Sequence, residues 1–164
     1  MYEYQFSDAS YTAWTQFRQS WAATYRALER SLTKTGLTPI KVNVLWFCKT
    51  MPGPLTPAEL SRLLFRESQT IAGLLARMEK EGLIERVPKR KGRPFTEVKI
   101  TAKGEELLRP AREAVCPLIA RIMSSLSVEE HDQFQNLLLK VRRKALEELH
   151  IELRPLPSSA FGEA

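Results

Sequence analysis

The chain has 164 residues, 43% of them hydrophobic, with 25 Lys and Arg against 19 Asp and Glu, which gives a formal charge of +6. That length and apolar content suit one domain, or one domain with dimerisation elements, and exclude a disordered chain. The basic balance favours polyanions such as nucleic acid or acidic membrane surfaces. Cys48 and Cys116 are isolated thiols without C-x-x-C spacing, which points to a reducing cytoplasm.

The opening MYEYQFSDAS is aromatic and acidic, so no signal peptide is expected there, and no run reaches the roughly 18 apolar residues of a membrane span. From about Ser10 to Lys34, Trp14, Phe17, Trp21, Tyr25, Leu28 and Leu32 recur at steps of three and four, predicting a long helix with an aromatic stripe. Gly36 stops it, and Thr38-Pro39 restarts an apolar helix carrying Val42, Val44, Leu45, Trp46, Phe47 and Cys48. After the turn cluster MPGPLT, Thr56-Pro57-Ala58-Glu59 is a capping box opening a short helix to about Phe65. A break near Arg66-Glu67 precedes a second helix with Ile71, Leu74, Leu75 and Met78 on one face, ended by Gly82.

Two short helices joined by a tight turn form a helix-turn-helix pattern. Leu83 to Val87 and Glu97 to Thr101 then read as the strands of a β-hairpin wing around the loop PKRKGRPF. From Ala102 to about Leu126 a broad apolar face predicts helix, and Pro110 and Pro117 inside it predict a kink or two pieces. Ser127-Val-Glu-Glu130 is a capping box, followed by Phe134, Leu138, Val141, Ala145 and Leu149 on one stripe. Residues 154–164, rich in Pro and Ser, are expected to be a disordered tail.

Residues 85 to 103 carry seven cations (Arg86, Lys89, Arg90, Lys91, Arg93, Lys99, Lys103) against two acids (Glu85, Glu97). A solvated turn is the plain reading of such a run, but on a hairpin next to a helix-turn-helix the run points to DNA. A membrane role would want an amphipathic helix instead. In the motif's second helix, Ser68, Gln69, Thr70 and Ala72 lie at the N-terminal end, where recognition helices present side chains to base edges, with Arg66 and Arg77 placed for phosphates.

The run from Leu55 to Leu108 resembles the winged helix of the multiple antibiotic resistance regulator (MarR) family. Its most specific segments are Met78-Glu-Lys-Glu-Gly-Leu-Ile-Glu-Arg86 and Val98-Lys-Ile-Thr-x-Lys-Gly104. The resemblance extends to the flanks and implies a mainly α protein: residues 1–36 an N-terminal dimerisation helix, 37–104 the winged helix-turn-helix with a small β-hairpin wing, and 105–153 the C-terminal dimerisation helices. It implies a homodimer that binds double-stranded DNA at a pseudo-palindromic operator, with the second motif helix in the major groove and Arg93 of the wing tip in the minor groove. Gly92 and Pro94 stand where the family usually has an acid and a second arginine, and Gly73 where it often has an arginine.

The aromatic group Trp14, Phe17, Trp21, Trp46 and Phe47 reads first as core or dimer packing. The resemblance adds a small-molecule pocket, for which Trp14, Phe17, Arg18 and Trp46 are candidates and a small aromatic or phenolic effector the ligand. Cys48 and Cys116 read as buried packing residues, and His131 and His150 as surface or interface residues. No phosphate-cradling loop, H-E-x-x-H or G-x-S-x-G occurs, so the chain is expected not to be an enzyme and to need no cofactor or metal. The expectation is a cytoplasmic, ligand-responsive transcriptional regulator acting as a repressor, without membrane attachment. The alternative is a winged helix that assembles with an acidic protein partner.

Overall fold

A computed structural model describes residues 5–88 and 96–152. It contains helices α1 (Ala9–Leu32), α2 (Pro39–Thr50), α3 (Pro57–Leu64) and α4 (Ser68–Lys80), then strands β1 (Ile84–Pro88) and β2 (Thr96–Ile100), then helices α5 (Ala102–Met123) and α6 (Val128–Glu148). The order is that of a winged helix-turn-helix with helical flanks, as the sequence predicts. Of the wing-tip residues, Lys89, Arg90, Lys91 and Arg93 lie outside the described residues, as does the tail from residue 153.

Local chemistry sets most boundaries. Asp8 caps α1 by accepting hydrogen bonds from the amides of Ser10 (2.7 Å) and Tyr11 (3.1 Å). Thr38 makes no side-chain cap, so α2 relies on Pro39 at its first position, where the missing amide costs nothing. Thr56 accepts from the amide of Glu59 at 3.1 Å, while the Glu59 carboxylate turns to Arg62. One half of the expected capping box is therefore present. The box at Ser127 is complete, because the Glu130 carboxylate also returns to the Ser127 amide.

The core gathers where α2, α3, α4 and the wing meet. Val44, Leu45, Leu60, Ile71, Leu75 and Met78 are fully buried, joined by Leu83, Ile84, Val98 and Leu108. The wing is antiparallel, with Ile84 opposite Ile100 and Arg86 opposite Val98. The Val98 amide also donates to the Leu55 carbonyl at 2.7 Å, which fastens the hairpin to the loop before α3. Gly104 sits in the first turn of α5 against this core. A Cβ there would lie 2.2 Å from the Leu83 carbonyl oxygen and 2.8 Å from Ile100, so only glycine lets α5 approach the strand.

Three expectations change in whole or in part. The segment with Pro110 and Pro117 is one helix, not two pieces. The prolines are exposed and seven residues apart, hence on one side, where the carbonyls they leave unpaired can bond water. Cys116 is exposed instead of buried, whereas Cys48 is partly buried against the core. The aromatic stripe of α1 divides: Leu32 is buried and Tyr25 and Leu28 half-buried, but Trp14, Phe17 and Trp21 are exposed and so are not core residues of the single chain. Helix α6 buries only Leu146.

Candidate nucleic-acid interface

The turn between α3 and α4 fixes how α4 is presented. Phe65 closes α3 in the left-handed region (φ 50°), a conformation that disfavours a bulky residue. Hydrogen bonds around it hold the turn: the Arg66 amide donates to the Ser61 carbonyl at 3.0 Å, and the Ser61 hydroxyl donates to the Arg66 carbonyl. Helix α4 buries Ile71, Leu74, Leu75 and Met78 on one face. Its opposite face at the N-terminal end is open, with Ser68, Gln69, Thr70 and Ala72 all exposed.

The structure thus gathers four of the candidate residues on one free helix end. Ser68 is not the helix cap, since Glu67 takes that position, and the Ser68 hydroxyl lies 3.5 Å from that of Ser61. Arg66 is exposed at the turn. Arg77 is exposed one turn beyond Gly73, where its Nη1 would lie 3.9 Å from a Cβ added to the glycine. Gly73 is therefore approached by a guanidinium from the next turn.

The C-terminal end of α4 is tied down by residues that the sequence did not single out as a group. The Glu79 carboxylate accepts from the Arg86 backbone amide (3.2 Å), from its Nε (2.8 Å) and from its Nη2. That fork of donors holds the Glu79 carboxyl below the usual carboxylate range and makes Arg86 bind its proton more tightly. Lys41 of α2 reaches both oxygens of Glu81, at 2.8 and 2.6 Å. Lys103 donates to the Glu81 carbonyl at 2.8 Å, and the Thr101 hydroxyl to the Gly82 carbonyl at 2.6 Å. No periodicity signals these contacts, because partners come from separate elements.

A concavity of about 750 Å³ opens between α2 and α5, lined by Lys49, Glu105, Arg109, Arg112, Cys116 and Pro117 among others. None of Trp14, Phe17, Arg18 and Trp46 lines it. Trp46 stands beside it, with the Arg112 guanidinium 3.8 Å above its ring. Trp14 and Phe17 pair on α1 at 6.1 Å, both exposed, and Arg18 is exposed next to them.

Residues 35–93 match the sequence model of the MarR family. The organohalide-sensing transcriptional regulator RdhR in its ligand-free form is 24% identical, with a TM-score of 0.80 over 96% of this chain and 95% of its own. AbsC, a MarR family transcriptional regulator from Streptomyces coelicolor, is 18% identical, with a TM-score of 0.79 over 87% of this chain and 97% of its own. MepR from S. aureus, in its complex with DNA, is 21% identical, with a TM-score of 0.74 over 86% of this chain and 99% of its own. No curated protein matches the sequence. The sequence match to the MarR family covers the segment 35–93, and the chain as a whole has the fold of the MarR-family regulator AbsC.

Proposed function

We propose that this chain is a DNA-binding transcriptional regulator that works as a homodimer in the cytoplasm and acts as a repressor. The observation that carries the reading is the open N-terminal end of α4, where Ser68, Gln69, Thr70 and Ala72 stand exposed on a helix whose other face is locked into the core. Hydroxyl and amide groups there can meet base edges or phosphates. Arg66 and Arg77 flank them for phosphate contact, and by the family resemblance Arg93 of the cationic loop between β1 and β2 would reach a minor groove.

In a dimer, two such helices roughly 34 Å apart would fill successive major grooves of an inverted repeat. Exposed apolar residues on α1 and α6 supply the surface for pairing. RdhR has been crystallised with 2,4-dichlorophenol, and we extend small-molecule control to this chain, with a planar aromatic or phenolic effector as ligand. The effector would sit near Trp46 and Arg112, with Trp14, Phe17 and Arg18 of α1 as further candidates. It would release DNA only by binding better to a dimer with the wrong helix spacing.

The test is selection of duplexes from a random-sequence pool, followed by gel shifts at increasing salt. One enriched inverted repeat is expected, with Arg93→Ala weakening binding and reducing the salt slope by about one. A wild-type protein that enriches no sequence would favour an acidic protein partner over DNA.

A further inference from the structure

We infer that Glu79 and Glu81, the acids at the C-terminal end of α4, are positioning residues for sequence recognition by that helix. Each carboxylate ties α4 to a different neighbouring element, and together they set the angle at which its exposed end and the wing meet DNA. The inference rests on the DNA-binding reading above.

Two physical costs oppose acids at this place. The carbonyl end of a helix carries partial negative charge, so Glu79 and Glu81 sit where cations would be favoured. They also belong to the helix that would approach a polyanion, on a chain whose net charge is +6. What their carboxylates do instead is hold two cations, and the Glu81 backbone holds a third. Arg86 of β1 forks onto Glu79, Lys41 of α2 takes both oxygens of Glu81, and Lys103 of α5 takes the Glu81 carbonyl. Lys41 is well covered, its side chain only 16% exposed. Ion pairs this near the surface add little to stability, so what they supply is geometry.

The lever is long. From Glu81 to Ser68 the helix extends roughly 20 Å, and a swing of about 10° at the anchored end would carry Ser68 about 3 Å, the length of a hydrogen bond. The Glu79 fork also links α4 directly to β1, so the same anchor relates the wing to the recognition helix.

The test turns on sign. Glu79→Gln and Glu81→Gln each remove a negative charge, so bulk electrostatics alone predicts tighter binding to any duplex. Positioning predicts the opposite for a duplex that the wild-type protein has selected from a random pool: binding weakened by about tenfold, the cost of one lost base contact. Affinity for a random duplex of equal length should hold steady or rise, and the melting temperature should stay near that of wild type. The double exchange Lys41→Glu with Glu81→Lys should restore most of the selective affinity lost in Glu81→Gln. Acid variants that bind the selected duplex as tightly as wild type, or tighter, would overturn the inference, as would an exchange that folds but restores nothing. Failure of wild type to select any sequence is a separate result, seen before any variant is made, and it removes the DNA-binding reading itself.

Discussion

The winged helix and the outer helices solve the burial problem in different ways. Around α3, α4 and the wing, most apolar residues are used up within the chain, with Phe65 at the turn the exception: Leu60, Ile71, Leu75 and Met78 are all at 0% exposure. The first half of α1 and nearly all of α6 leave theirs outside, with Trp14 at 52%, Trp21 at 56% and Leu137 at 59%. Exposed apolar stripes of this kind mark a contact site. The winged helix is therefore complete by itself, whereas the outer helices are complete only against another surface, which the proposed dimer would supply. The two regions should respond differently to mutation and to protein concentration.

The largest effect is expected at the centre of the winged helix. Leu75→Ala should lower unfolding stability by about 2–5 kcal/mol, because the cavity it leaves is closed on every side. Denaturant melts would measure this, and the loss should be the same at every protein concentration. Gly104→Ala comes next, at about 1–3 kcal/mol, since its Cβ meets a backbone oxygen that cannot swing aside. A neutral Gly104→Ala would mean that α5 can back away from the wing, and that the winged helix is less rigid than its packing implies.

Substitution on the outer helices should act on assembly. Leu137→Lys places a charge on the exposed stripe of α6 and should weaken dimerisation by about 1–2 kcal/mol. Light scattering against dilution would show monomer at concentrations where wild type remains paired, while a dilute melt would be little changed. A wild-type mass that stays monomeric at all concentrations would remove the dimer and leave the exposed stripe to some other partner.

The difference between the two regions also explains what was legible in the sequence. Leu60, Ile71, Leu75 and Met78 follow helical spacing because they all face one internal core, and Gly82 ends α4 with φ +73° as the glycine signal predicts. On α1 the same spacing continues past the point where the core ends, so periodicity alone cannot tell Trp14 from Leu32. The exposed end of α4 was readable from its place after the turn. The anchors at its other end were not, since Lys41 and Glu81 are 40 residues apart and each looks like an ordinary surface charge. Arg112 over Trp46 is hidden for the same reason. Pro110 and Pro117 signalled a kink or a division into two pieces, and exposure of their side of α5 makes the division unnecessary.

The smallest effect separates the two cysteines. Burial of Cys48 in α2 pushes its thiol up to about 12 from an ordinary 9.0, only partly offset by a backbone hydrogen bond. The folded state thus favours the protonated thiol. The stability this contributes is fully present below pH 9.0 and fades as the pH rises towards about 12. At pH 8 a thiol reagent should label exposed Cys116 quickly and Cys48 only as fast as the protein unfolds. Equal rates for both would show that α2 opens far more often than the rest of the core. Protection of Cys116 that disappears on dilution would carry the outer surface of α5 into the dimer interface, and would move the boundary between the self-sufficient region and the partner-dependent one to that helix.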